Sequence, residues 1–84
     1  MRFTVLYLAR LREVLGRGSE QVELPEASTV AALVDALRGR GGPWVVELAA
    51  GRAVRVAVNQ ELADLAATLR EGDEVALFPP VTCG

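Results

Sequence analysis

An α+β fold, with a mixed sheet packed on one principal helix, is what this 84-residue sequence predicts. Three observations carry that expectation. Apolar residues alternate with period two near both ends of the chain, in RFTVLYLA (residues 2–9) and EVALF (residues 74–78). Between them, residues 28–40 switch to the spacing of an amphipathic helix. The segments run in the order strand, strand, helix, short helix, strand, strand, strand, with no internal repeat and no low-complexity linker.

Each element has its own reason. In residues 2–9, Phe3, Val5 and Tyr7 fall on one face and Thr4, Leu6 and Leu8 on the other. Both faces are largely apolar, which suits a central strand covered on both sides, by the domain's own helix or by a partner. RLREVLG reads as a short helical turn ended by Gly16, and RGSE as a turn. QVELP is a second short strand that Pro25 stops. The clearest helix spans residues 28–40: Ser28 or Thr29 caps it, and Val30, Leu33, Val34 and Leu37 line its buried face. Gly39, Gly41 and Gly42 end it, and Pro43 prevents its resumption. PWVVELAAG predicts a second short helix with Pro43 at its first position and Gly51 after it. Trp44, the single tryptophan, reads as a packing residue. AVRVAVNQELA reads as strand, tight turn at Asn59-Gln60, strand. A connection through Glu71-Gly72-Asp73 leads to the last strand.

A mixed sheet wrapped around one principal helix, in this element order, is the β-grasp, the ubiquitin-like architecture, in which the last strand lies parallel to the first in the middle of the sheet. The expected organisation is a β-grasp domain over residues 1–78 and an extended functional tail over residues 79–84.

Composition removes several classes of function. The net charge is −2 and no basic stripe occurs, which disfavours nucleic acid. No stretch approaches the ~18 apolar residues of a membrane span. The single cysteine, Cys83, permits no intrachain disulfide and suits a reducing cytoplasm. The chain has no histidine, hence no Ser-His-Asp triad and no Cys/His zinc site. All nine cations are arginine, so no side-chain amine exists for Schiff-base chemistry or isopeptide attachment. The glycines at 39, 41 and 42 follow a helix, whereas a phosphate-binding loop precedes one. Glu71, Asp73 and Glu74 read as a solvated turn. No metal or cofactor site of its own is expected.

What remains is FPPVTCG, residues 78–84. Pro79 and Pro80 cannot donate to a ladder, so the strand ends there, and paired prolines favour an extended, projecting geometry. Six residues reach roughly 20 Å when extended. Gly84 lacks a β-carbon, so its backbone can approach another protein closely, and its distinctive group is the terminal carboxylate. These features describe an arm that inserts its C-terminus into a partner's active site.

From RFTVLYLARLREVLG through VNQELA to LREGDEVALFPPVTCG, the chain resembles the small subunits of molybdopterin synthase, the MoaD-type ubiquitin-like sulfur carriers. Gly72, Asp73, Glu74, Val75, Phe78, Pro79, Pro80, Val81, Thr82 and Gly84 match their terminal signature, and Asn59 and Gln60 match an internal one. The resemblance implies that an adenylating enzyme related to those for ubiquitin activates the Gly84 carboxylate with ATP and magnesium. A sulfurtransferase then supplies the sulfur that makes a thiocarboxylate. It implies that the tail (Pro79, Pro80, Val81, Thr82, Cys83) enters the large catalytic subunit, where the sulfur attacks cyclic pyranopterin monophosphate and two transfers build a dithiolene. The chain itself would be a non-catalytic donor, with two large and two small subunits in the assembly. By strand alternation, Leu8, Phe78 and Leu62 would form the partner-facing apolar patch.

Cys83 departs from the family's terminal Gly-Gly. It reads as a tolerated small residue with the chemistry still on Gly84, or alternatively as a participant in sulfur relay or redox control. Two other functions share fold and activation chemistry: a carrier serving thiamine, cysteine or tRNA thiolation, and a ubiquitin-like protein modifier. FPPVTCG favours the molybdopterin branch.

Overall fold

A computed structural model describes residues 1–49 and 54–80 of the chain. Five strands form one mixed sheet: β1 (Arg2–Tyr7), β2 (Ser19–Glu23), β3 (Arg55–Val58), β4 (Glu61–Ala63) and β5 (Glu74–Phe78), in the spatial order β2-β1-β5-β3-β4. Helices α1 (Arg10–Leu15), α2 (Val30–Arg38) and α3 (Pro43–Glu47) occur between them. The last strand lies at the centre of the sheet, parallel to β1 on one side and antiparallel to β3 on the other. This is the β-grasp that the element order predicts. No helix among the described residues is long and apolar enough to cross a membrane.

The core fills the space between the sheet and the helices. Phe3, Val5 and Tyr7 of β1, Val75 and Leu77 of β5 and Val56 of β3 point into it. They meet Val30, Leu33 and Leu37 of α2, with Leu11, Leu15, Trp44, Leu48 and Leu69 closing the sides. Burying each large apolar side chain contributes about 1.5–3 kcal/mol, and this layer is what holds so small a domain together. Helix α2 begins where the Thr29 hydroxyl accepts from Ala32 N at 3.2 Å. Ser28 does not cap it; its hydroxyl donates to Pro25 O instead.

Several boundaries differ from the sequence expectation, each for a local reason. The first strand ends at Tyr7 rather than Ala9, because Ala9 adopts φ 52° and swings the chain into α1. Ser19 and Glu20, read as turn, belong to β2, where they pair with Leu6 and Val5. β2 ends at Glu23, before Pro25, and Leu24 N bonds Met1 O at 3.0 Å. The principal helix covers Val30–Arg38 rather than residues 28–40. Helix α3 starts at Pro43 as expected but stops at Glu47, with the buried Leu48 after it. Its expected end at Gly51 lies outside the described residues. On the opposite face of β1, Thr4 and Leu6 are half-buried, and Leu8, just past the strand, is exposed.

Trp44 is a packing residue, as expected. Its ring meets Tyr7 edge to face at 5.4 Å, and the Arg40 guanidinium lies 4.5 Å from its centroid. Glu20 ties this corner to the sheet edge. It accepts from Tyr7 Oη at 2.6 Å and from both Arg40 amino nitrogens at 2.7 and 2.9 Å, with Arg17 3.3 Å away. The Arg40 hydrogen bonds hold the Glu20 carboxyl below its ordinary range, although its partial burial acts the other way. Burial and the adjacent carboxylate push the Tyr7 phenol far up, so it stays a proton donor. A second ion pair joins α1 to α3, with Arg10 Nε 3.0 Å from the buried Glu47 carboxylate.

Candidate functional site

β5 is braced at one end and open at the other. At its start, Asn59 and Gln60 adopt φ 50° and 70° between β3 and β4, the left-handed pair that a tight hairpin turn needs. Asparagine tolerates that geometry better than most residues. Its side chain then reaches the β5 connection: Asn59 Nδ2 donates to Asp73 Oδ1 and Glu74 N donates to Asn59 Oδ1, both at 3.0 Å. Asp73 Oδ2 accepts from Arg70 N at 2.8 Å, and Glu71 Oε1 accepts from Arg2 N at 2.8 Å. Gly72 takes φ 82°, a backbone position that disfavours a side chain. The acidic turn is therefore a set of backbone ties. Among the described residues no group of three or more His, Cys, Asp or Glu is placed to hold a metal ion.

At the other end, β5 runs into Pro79 and Pro80, both half-buried and outside the ladder. Neither has an N–H to continue it. Val81, Thr82, Cys83 and Gly84 lie outside the described residues.

The face of the sheet turned away from the helices carries the other candidates. The strand register aligns Leu6, Ala76, Ala57 and Leu62 in one row across β1, β5, β3 and β4. Leu62 is 71 % exposed and Leu8 42 %. One step toward the tail, Leu8 N donates to Leu77 O, which sets Leu8 level with Phe78, and Phe78 pairs with Arg55. Phe78 is half-buried. Leu8, Phe78 and Leu62 thus share a face but not a row. Ala57 and Ala76 form a shallow floor between Leu6 and Leu62. Leu6, Ala57 and Arg55 were not among the sequence candidates; the alternation that placed Leu8 on this face also places Leu6 there, and Ala57 and Arg55 join it once the β3–β5 register is known.

Two hollows lie among the described residues on the β3–β4 side of the sheet. One of about 330 Å³ beside β4 is lined by apolar residues with Arg55 and Asp64. Another of about 450 Å³ lies against Asn59, Glu61, Thr68, Arg70 and Asp73, where the Asn59 and Asp73 side chains and the Arg70 backbone N–H are engaged in the ties just described. What the arrangement offers is a largely apolar sheet face, with Arg55 on it, continuous with the strand that leads into Pro79 and Pro80.

Comparison with known proteins bears on this arrangement. The model of the ThiS family matches residues 5–84. The molybdopterin synthase sulfur carrier subunit of Haemophilus influenzae is 39% identical over 80 residues, covering 95% of this chain and 96% of that protein. The crystal structure of SAMP1 from Haloferax volcanii superposes with a TM-score of 0.83 at 32% identity, over 100% of both chains. A chain in the complex of subunits 1 and 2 of the molybdopterin-converting factor from Helicobacter pylori shares the fold, with a TM-score of 0.69 at 22% identity over 100% of both chains.

Proposed function

The chain belongs to the ThiS family, and from that premise we propose that it is the sulfur carrier subunit of molybdopterin synthase. The observation that carries this reading is its 39% identity to such a subunit over nearly the whole of both chains. The central β5 supports it, since its course ends in Phe78-Pro79-Pro80 directly before the residues that carry the chemistry.

In this reading the Gly84 carboxylate is the reactive group. A carboxylate resists substitution because its leaving group is oxide. Attack by the carboxylate on the α-phosphate of ATP, with pyrophosphate leaving, gives an acyl adenylate whose AMP leaves readily. Sulfur from a sulfurtransferase displaces AMP and yields a thiocarboxylate. ATP and magnesium belong to the adenylating enzyme. The large subunit receives the tail, Pro79 through Cys83, and supplies the acid and base groups for sulfur transfer to the pterin. That division of labour suits a chain with no histidine and no lysine. Residues 1–78 act as the body and residues 79–84 as the arm. Leu8, Leu62 and Phe78 serve as docking residues, with Leu6, Ala57 and Ala76 beneath them. A reducing cytoplasm suits the free thiol of Cys83.

The test is intact mass after incubation with the adenylating enzyme, ATP, magnesium and a sulfur donor. The expected product carries one sulfur in place of one oxygen on Gly84, and capture of the large subunit follows. No exchange would sink the reading. Cys83→Gly should exchange equally well; its failure would instead assign Cys83 to sulfur relay. The likeness to SAMP1 favours a second reading, a protein modifier joined to amines of other proteins, which the same activated carboxylate would serve.

A further inference from the structure

We infer that the large subunit docks on this sheet face with a carboxylate set against Arg55, and that this pair fixes the orientation of docking and selects among large subunits. The inference rests on the carrier reading proposed above and adds a charge to its apolar docking face.

Phe78 on β5 and Leu62 on β4 lie on either side of β3. A partner that touches both spans β3 and covers its outward residues, Arg55 and Ala57. Register puts Arg55 level with Phe78, and Ala57 level with Ala76 and Leu62. Arg55 is exposed in the free chain. Neighbouring strands are only ~4.8 Å apart, so a protein seated on Phe78 meets the Arg55 side chain.

That side chain has no anion of its own. Arg2, Arg10, Arg17, Arg38 and Arg40 each have a carboxylate within 4.0 Å; among the described residues Arg55 has none. Arg12 and Arg70 are also without an ion pair there, but Arg12 lies along Gly18, and Arg70 lines the hollow beside Glu61 and Asp73. By register Asp64 stands across from Arg55, one step beyond the Val56–Ala63 pair. Its Oδ1 accepts from Ala66 N at 2.9 Å, and it makes no ion pair with Arg55. Covering a cation strips its water, a cost that an opposite charge offsets. A backbone carbonyl would satisfy an N–H but supply no charge. A carboxylate does both, because it takes two parallel hydrogen bonds from a guanidinium.

The pair also sets direction. Glu74, on the same face at the start of β5, is level with Thr4, and Phe78 is at the strand's other end. The two are roughly 13 Å apart at ~3.3 Å per residue. With Glu71 and Asp73 nearby, the Glu74 end of the face is acidic and repels the carboxylate that Arg55 attracts. A partner turned end for end would set acid against acid. Charge thus fixes orientation where Ala57 and Ala76 offer little shape.

The test measures the affinity of the whole chain for its large subunit at about 0.1 M and about 1 M salt, between which the screening length falls from ~10 to ~3 Å. Wild type should bind more weakly at the higher concentration. Arg55→Met keeps the stem without the charge; at low salt it should bind about tenfold more weakly, and it should lose most of the salt dependence. Arg55→Lys should fall between wild type and Arg55→Met, and Arg55→Glu should be weakest. Arg55 is exposed, so none of these changes should alter the fold, which circular dichroism checks. Arg70→Ala also removes one positive charge, at the other end of β5, and should bind like wild type. Arg55→Glu binding as tightly as wild type, or Arg55→Met keeping the wild-type salt dependence, overturns the inference. An equal loss in Arg70→Ala, which would mean attraction by net charge alone, overturns it too. Wild type that gains sulfur by intact mass and binds the large subunit, with no effect at Arg55, overturns this inference and leaves the carrier reading standing. Wild type that does neither overturns both.

Discussion

Replacing Asn59 tests whether the internal signature residues are structural rather than chemical. Asn59→Ala removes the hydrogen bonds to Asp73 Oδ1 and from Glu74 N. Each contributes about 0.5–1.5 kcal/mol net, with exposed ones at the low end. Alanine must also hold φ near 50°, which costs an L-residue without a short polar side chain roughly another 1 kcal/mol. The sum is about 2 kcal/mol, a fall in Tm of about 8–16 °C for a domain of this size. Urea unfolding followed by Trp44 fluorescence measures it. Asn59→Gly relieves the backbone but not the hydrogen bonds and should fall between wild type and alanine. Asn59→Asp keeps the acceptor for Glu74 N but sets a second carboxylate against Asp73, so it too should be less stable than wild type. An alanine variant within about 0.5 kcal/mol of wild type, or a glycine variant less stable than alanine, would refute the reasoning. Sulfur loading of Gly84 in the folded fraction should be unchanged throughout.

Phe78→Asp should leave a folded monomer by circular dichroism while weakening capture of the large subunit more than about 30-fold, the effect of losing one central apolar anchor worth about 2 kcal/mol; undiminished capture would remove Phe78 from the interface. Glu20 gives the fold an acid sensitivity. Its carboxyl is held down first by the Arg40 hydrogen bonds, so its stabilising contribution is present above the ordinary value of 4.5 and is lost as pH falls through the lower folded value. Thermal unfolding across that range should therefore show a smaller decline for Glu20→Gln than for wild type, and parallel declines would contradict the assignment.

The elements that sequence patterning predicts well are those whose partners do not matter. The period-two runs at residues 2–9 and 74–78 and the helical face Val30–Leu33–Leu37 are legible because burial imposes its period whatever lies opposite. The end of β5 at Phe78 is legible because Pro79 and Pro80 have no N–H to continue the ladder. Glu20 shows the converse. In RGSE it reads as turn, yet it accepts from Tyr7 and Arg40, residues 13 and 20 positions away. Asn59 and Asp73 are 14 apart and meet only because β3 and β5 are neighbours. Ala57 joins the apolar face through a register that neither strand encodes alone. Polar contacts of this kind depend on the assembled sheet, so no local period announces them.

The central position of β5 has a consequence for how the protein is made. Synthesis delivers β2-β1 as one half of the sheet and β3-β4 as the other, and the strand that joins them comes last. Until Glu74–Phe78 is free to insert, Val5, Tyr7 and Val56 have no neighbour across the gap and the core stays open. Completion of this sheet therefore waits until β5 has been made. A product truncated before Glu74 lacks the strand that joins the two halves of the sheet, so its core stays open. The sheet is closed only by its last strand in the order of synthesis.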